Sequence, residues 1–127
     1  MRAYSKPKPT GGVSLALWFY MRVSAIAMLA LVLGHLYIMH VINSTDTIDF
    51  AFVAARFSTP LWRIYDMLVL FFALSHGLVG LRGILADYIG SRGWRVVAET
   101  AMWVVGFVFL IMGAIILVTF QAGAVVR

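Results

Sequence analysis

Residues 67–86 read MLVLFFALSHGLVGLRGILA, and Arg82 is the only formally charged residue among them. A helix needs about 20 predominantly apolar residues to cross the hydrocarbon core of a bilayer. Residues 23–45 and 100–126 meet the same requirement and hold no formal charge. We therefore predict an all-α fold with three transmembrane helices, spanning about 15–42, 61–88 and 94–120, in a single membrane domain that covers residues 1–127.

The composition supports a bilayer environment. Of the 127 residues, 63% are hydrophobic and 12% are charged, whereas soluble domains carry about 25% charged residues. The apolar stretches are too long and continuous for the strands of a transmembrane barrel, which need about ten residues each. Because the chain has no cysteine, disulfides, thiolate metal sites and iron–sulfur clusters on it are excluded.

The basic residues indicate topology. A net charge of +5 alone would fit nucleic-acid binding, but the basic residues form no patch with interleaved aromatic residues, so no nucleic-acid partner is predicted. Seven fall on one side of the predicted spans (Arg2, Lys6, Lys8, Arg22, Arg82, Arg92 and Arg95), and three fall on the other (Arg56, Arg63 and Arg127). The positive-inside rule then predicts a cytoplasmic N-terminus and an up-down-up course.

The segments outside the spans carry local signals. Residues 1–12 contain KPKP and two glycines, which predicts an extended arm. Residues 50–57 are apolar and predict a short amphipathic helix at the outer interface. Pro60 fits the first turn of the second span. Arg63 lies one turn before Asp66 and is a candidate partner for that carboxylate, in an exposed pair worth under about 1 kcal/mol.

One face of the second span carries an unusual set of residues. At about 100° per residue, Gly80, Gly83 and Asp87 lie near 40°, −20° and 20° from His76. Asp87 lies about 16 Å further along the axis, at the membrane edge beside Tyr88. An ionisable group at mid-membrane is costly, which favours a functional role for His76 as a metal ligand. The structural alternative is a small-residue seam for helix packing.

Other polar residues of the spans are weaker candidates. His35 is comparable in depth with His76, so two antiparallel helices could clamp one iron between them; the alternative is a hydrogen bond from His35 to a neighbouring helix. His40 is predicted to be interfacial. Arg22 opens the first span and can bind a headgroup phosphate or a cofactor carboxylate, or it simply sets the topology. Arg82 lies about 120° from His76 and is predicted to snorkel to the inner surface.

Residues 75–88, SHGLVGLRGILADY, resemble the D-type hydrophobic membrane anchor of succinate dehydrogenase (respiratory complex II). The shared pattern is a histidine, a glycine four residues later and an Asp-Tyr pair eleven and twelve residues later. Three spans, the chain length and an arginine at the start of the first span also agree. The resemblance extends over most of the chain after about residue 17.

The resemblance implies a membrane subunit of succinate:quinone oxidoreductase that has no catalytic residue of its own. Its partners would be membrane lipid, a C-type membrane anchor subunit, an iron–sulfur subunit and a flavoprotein subunit, in a bacterial cytoplasmic (inner) membrane. His76 would be an axial ligand of haem b, and Arg22 would lie near the haem propionates. Tyr88 would donate a hydrogen bond to the substrate quinone (ubiquinone or menaquinone), and Asp87 would support the polar and proton network of that site.

Two other functions compete with this interpretation. The first is a haem-free structural membrane anchor of a respiratory complex, in which His76 only packs. The second is a small proton-coupled transporter. It is disfavoured because Asp66 and Asp87 both lie near the predicted interfaces, which leaves no carboxylate at mid-membrane.

Overall fold

The computed structural model describes residues 13–120. These residues form helices and no strand. In chain order, the elements are α1 (Val13–Tyr37), which continues into a π-helical turn (Ile38–Ile42), a 3₁₀ turn (Thr45–Thr47), α2 (Phe50–Ser58), α3 (Pro60–Tyr88) and α4 (Arg92–Thr119).

The prediction of an all-helical protein with three long apolar helices is confirmed. Leu15–Ile42, Pro60–Tyr88 and Arg92–Thr119 are long and apolar enough to cross a membrane, and their bounds lie within two residues of the predicted spans. Large apolar side chains cover most of the outer surface of these helices. Such a surface suits contact with lipid tails or with other apolar subunits. Lipid tails are as apolar as these side chains, so the hydrophobic effect does not favour burying them within one chain. The predicted N-terminal arm lies outside the described residues.

Glycines of α4 form a close contact with α3. A Cβ atom added to Gly106 would overlap the side chain of Leu78, and one added to Gly113 would lie 2.6 Å from Leu70 Cδ2. Small residues of this kind let two membrane helices approach closely. Because the later glycine meets the earlier leucine, α3 and α4 run antiparallel.

Polar contacts join α1 to α3. The Tyr20 hydroxyl bonds the Ser75 hydroxyl near the start of α1, and the Tyr65 hydroxyl donates to the Leu31 carbonyl further along it. Rising residue numbers on α1 therefore meet falling numbers on α3, so these two helices are also antiparallel. Which side of a membrane each helix end faces stays a prediction.

The predicted short helix between the first two spans is present as α2. The Asp49 carboxylate accepts a hydrogen bond from the Phe52 backbone N–H at 2.8 Å, a typical N-cap. Pro60 occupies the first turn of α3 as predicted, where its missing N–H costs nothing. The location of α2 at a membrane interface stays a prediction.

The predicted pairing of Arg63 with Asp66 is wrong, because Arg56 of α2 takes that place. Arg56 Nη2 lies 2.9 Å from Asp66 Oδ1, and Arg56 Nε lies 3.3 Å from Asp66 Oδ2. The two side chains are only 5% and 15% exposed. The guanidinium also lies 4.1 Å from the centre of the Trp62 ring. The contact is thus a buried, bidentate ion pair that ties α2 to α3.

Arg63 instead bonds the end of α4. Its Nη1 and Nη2 atoms donate to the carbonyls of Val118 at 3.1 Å and Phe120 at 2.8 Å, and its Nε donates to the Phe57 carbonyl. The last carbonyls of a helix have no partner within that helix. A cation at this end is also favourable for the helix dipole. Arg63 therefore caps α4 and holds its C-terminal end against the start of α3.

Replacing Arg56 with alanine is expected to destabilise the protein by about 3–5 kcal/mol, because it leaves the Asp66 carboxylate buried without its partner. Arg82→Ala is the matched control. Arg82 Nε donates to Glu99 Oε2 at 3.2 Å, but the Arg82 side chain is 53% exposed, and such pairs contribute under about 1 kcal/mol. Thermal unfolding of the detergent-solubilised variants makes the comparison. Equal and small shifts in Tm for both would show that the Arg56 pair does not stabilise the fold.

Candidate functional site

His76 lies near the middle of α3 and is held by a residue of α1. Its Nδ1 atom lies 2.8 Å from the Ser24 hydroxyl oxygen. That hydroxyl also donates to the Met21 carbonyl of its own helix at 3.3 Å. Within residues 13–120, Ser24 is the hydrogen-bond partner of the His76 ring, and Nε2 forms no such bond. One ring nitrogen is therefore satisfied by the fold, while the other stays available.

A second hydroxyl pair lies directly beside this contact. The Ser75 hydroxyl donates to the Phe71 carbonyl at 2.6 Å and accepts a hydrogen bond from the Tyr20 hydroxyl. Tyr20 and Ser24 are four residues apart, so they share one face of α1. This polar face was not predicted as part of a site. Its signal in the sequence is the spacing of two hydroxyl residues by about one helical turn in the first span.

The glycines on the His76 face of α3 are open. A Cβ atom added to Gly80 or Gly83 would meet nothing within 4 Å. The small-residue seam within this chain is formed by α4 instead, with Gly106 and Gly113 against leucines of α3. Gly80 and Gly83 are therefore not used to pack α3 against another described helix. They leave room for a large group or for a helix of another subunit.

Asp87 and Tyr88 are the last residues of α3. Tyr88 is 86% exposed, and neither side chain forms a hydrogen bond or an ion pair with any residue from 13 to 120. They lie about 16 Å along the helix axis from His76. Asp87 lies on the same side of α3 as His76, whereas Tyr88 lies about 120° around the helix from it. Both residues are exposed at the end of the helix.

Arg22 lies at nearly the same height along α1 as Ser24 but on a different side of the helix. The two residues are two positions apart in the sequence, which corresponds to about 3 Å along the axis and about 200° around it. The Arg22 guanidinium lies 3.5 Å from the centre of the Trp18 ring and donates to the Trp18 carbonyl at 3.3 Å. The structure therefore does not bring Arg22 to His76 across the contact between α1 and α3.

His35 lies beside Asp66 and far from His76. Its Nδ1 atom is 3.7 Å from Asp66 Oδ1, and its ring stacks on Tyr65 with centroids 6.5 Å apart. Asp66 precedes His76 by ten residues, about 15 Å along α3. One iron shared by His35 and His76 is excluded by this arrangement, and a ligand role for His35 alone stays a prediction. His40 is exposed on the π-helical turn.

Metal-ligating clusters and cavities are two further features in which a ligand site could lie. No group of three or more His, Asp or Glu residues in the 13–120 range could hold a metal ion. A cavity of about 490 Å³ lies between α1, α2, α3 and α4, with His35, Arg56 and Asp66 in a largely apolar lining. It belongs to the end of α3 opposite Tyr88. The Tyr88 end of the helix is instead an exposed surface.

Comparisons with known proteins agree with these structural features. Residues 4–118 match the family described as succinate dehydrogenase/fumarate reductase transmembrane subunit. The match covers His76, the Asp87-Tyr88 pair and nearly all of the three long helices. A search of curated proteins finds no match. Because the family match extends over most of the chain, the protein belongs to the succinate dehydrogenase/fumarate reductase transmembrane subunit family.

Proposed function

We propose that the chain is the D-type anchor of a succinate:quinone oxidoreductase, providing one axial ligand to haem b and part of a quinone site. Its family makes it an integral membrane subunit of a succinate dehydrogenase or fumarate reductase complex. The observation that supports a haem ligand on this chain is the environment of the His76 ring. It is a partly buried imidazole near the middle of a long apolar helix, fixed at Nδ1 and next to an open glycine stripe.

The described residues fit a haem that is shared with another subunit. A haem shared between two subunits would be held by His76 of this chain and by one ligand of a partner subunit, so a three-residue metal group would not be required. His76 Nε2 is free of hydrogen bonds to residues 13–120, and Gly80 and Gly83 leave space beside α3 for a large flat group. When bound, the haem would supply one-electron transfer within the membrane. The second ligand would come from a C-type anchor subunit.

Arg22 would contribute to the same site through its charge. A guanidinium can bind a propionate carboxylate in a bidentate manner. The exposed Arg22 side chain lies on the Trp18 ring and donates a hydrogen bond to the Trp18 carbonyl. Arg22 lies on the side of α1 that faces away from His76, so it would bind a propionate only where that carboxylate extends past α1. Binding to a lipid headgroup is the alternative use of the same charge.

The end of α3 would contribute to the quinone site. Succinate is oxidised in water while quinone dissolves in lipid, so the site of electron delivery belongs at the boundary between the two. The exposed Tyr88 phenol would donate a hydrogen bond to a carbonyl of ubiquinone or menaquinone. Asp87 would accept and pass on protons beside it. Because both residues lie on an open surface, the partner subunits would form the remaining walls of the pocket.

A haem-free structural anchor is the second candidate function. It is supported by the Ser24 hydrogen bond, which would also satisfy a His76 that only packs. The transporter hypothesis has less support. Among residues 13–120, Asp66 and Glu99 are engaged by arginines, and Asp87 lies at the helix end, so no free carboxylate lies at mid-membrane. Substrate flux into vesicles that contain this chain alone would revive it.

Purification of the affinity-tagged chain from its native membrane tests the proposal. Mass spectrometry is expected to identify a flavoprotein subunit, an iron–sulfur subunit and a second, C-type anchor in equal amounts, in a bacterial cytoplasmic membrane preparation. The purified complex should reduce quinone with succinate. A chain that purifies alone, or with subunits of an unrelated complex, would contradict the proposal.

Gly80→Leu is expected to lower the haem-to-protein ratio of the purified complex several-fold, because the leucine side chain would fill the open space on the His76 face. Gly77→Leu is the matched control. Gly77 is also open, but it lies about 100° around the helix from His76, so its substitution should leave haem content close to that of the wild type. Haem is measured as the pyridine complex. Equal haem content in both variants would show that the glycine stripe does not face the cofactor.

A further inference from the structure

We infer that Ser24 is a positioning residue for the haem: its hydroxyl fixes the tautomer and the ring orientation of His76, so that Nε2 presents its lone pair to the iron. This inference rests on the proposed function of His76. It adds Ser24 of α1 to a site for which the resemblance implies His76 of α3 and Arg22 of α1.

We infer the direction of the bond from the two contacts of the Ser24 hydroxyl, because both can form together only if His76 Nδ1 is the donor to Ser24. A serine hydroxyl has one proton to donate and two lone pairs that accept. The proton of Ser24 is directed at the Met21 carbonyl at 3.3 Å. Its oxygen therefore accepts the proton of His76 Nδ1 at 2.8 Å. A histidine that is protonated at Nδ1 has an unprotonated Nε2, which is the form that binds a metal.

Burial makes this contact difficult to replace. Ser24 is 0% exposed, the lowest value for a polar side chain in residues 15–120. Water therefore has no access to substitute for the hydroxyl when it is removed. Ser24→Ala would leave His76 Nδ1 without a partner and free to rotate or to change tautomer. Second-shell partners of this kind typically contribute about 10–100-fold to the affinity of a metal site.

Other contacts hold α1 against α3 without Ser24. Tyr20 bonds Ser75 one turn away, and Tyr65 bonds the Leu31 carbonyl further along the same pair of helices. The loss of one hydroxyl should therefore leave the helix pair assembled. This makes the effect on the haem separable from an effect on folding.

The test compares Ser24→Ala and Ser24→Thr in the purified complex. Haem retention is followed by transfer of haem to excess apomyoglobin, and the midpoint potential of the haem is measured by redox titration. Ser24→Ala should lose haem about 10–100-fold more readily. Its midpoint potential should rise, because the imidazole loses the hydrogen bond that makes it a stronger donor to oxidised iron. Ser24→Thr keeps the hydroxyl and should restore both properties.

Each outcome bears on a different part of the inference. If Ser24→Ala prevents assembly, the pair Ser24→Thr and Ser24→Val decides, because threonine and valine have nearly the same shape and differ in the hydroxyl. If Ser24→Thr, Ser24→Ala and Ser24→Val all show the same haem retention and the same midpoint potential, Ser24 does not position the haem. That result would leave the proposed haem site itself unaffected. A wild-type complex without b-type haem would overturn the proposed haem site, and this inference with it.

Discussion

His76→Ala is expected to remove haem b from the purified complex. His76 is the histidine that the structure places beside the open glycines of α3. Its Nε2 atom forms no hydrogen bond with residues 13–120 and is the ring nitrogen left to bind a metal. With one axial ligand missing, haem binding should weaken by well over the roughly 10–100-fold effect of losing a second-shell partner. The haem-to-protein ratio should therefore fall to a small fraction of the wild-type ratio when it is measured by the pyridine complex.

His40→Ala is the control for this result. His40 lies on the same chain and is exposed on the π-helical turn after α1, so its removal should leave haem content unchanged. Subunit composition is checked by mass spectrometry for both variants, so that loss of haem is not confused with loss of the partner subunits. A His76→Ala complex with full haem content would rule out His76 as a ligand.

Tyr88→Phe is expected to lower quinone reduction by about tenfold or more. A hydrogen bond to an oxygen that gains negative charge contributes about 1.5–3 kcal/mol, and each 1.36 kcal/mol corresponds to about a factor of ten in rate. The side chain is 86% exposed in this chain, so removal of its hydroxyl should cost little stability here. Succinate oxidation by a soluble dye should stay close to wild type, because the dye takes electrons without using the quinone site.

The ratio of the two activities distinguishes the possible roles of Tyr88. Tyr37→Phe, at the exposed end of α1, should change neither activity and controls for the loss of a phenol as such. Equal loss of dye reduction and quinone reduction in Tyr88→Phe would mean that Tyr88 serves assembly. Unchanged quinone reduction would show that the phenol does not contact the quinone.

The helices could be predicted from the sequence because their causes are local. Each span is an uninterrupted apolar run of the length that a bilayer requires, and Pro60 marks the start of α3. The cap of α2 was not predicted, although Asp49 belongs to a residue type that is preferred at the N-cap. The bounds of the long helices in the structure differ from the predicted bounds by two residues or fewer.

The polar partners could not be predicted because they depend on how the helices pack. Asp66 has Arg63 one turn away, yet it pairs with Arg56 across the turn between α2 and α3. Arg63 bonds carbonyls 55 and 57 residues later in the chain. The contact of Ser24 with His76 spans 52 residues. The helical repeat shows which residues share one face of a helix, but it does not show which residues of another helix contact that face.

Only part of the candidate site could be predicted, because its contacts also depend on how the helices pack. Helical spacing correctly places His76, Gly80, Gly83 and Asp87 along one side of α3, because that depends only on the helix repeat. The spacing alone left open whether this side is a packing seam, and the structure shows that α4 supplies the seam instead. The roles of Tyr88 and Asp87 stay predictions, since neither side chain forms a hydrogen bond or an ion pair with residues 13–120.

The most direct test of the central claim is the dithionite-reduced minus oxidised spectrum of the complex purified through this chain. We expect the α and Soret bands of a six-coordinate b-type haem in the wild type, and their loss in His76→Ala with the subunits still assembled. A wild-type complex that reduces quinone with succinate but shows no b-type bands would contradict the claim and leave the chain a haem-free anchor.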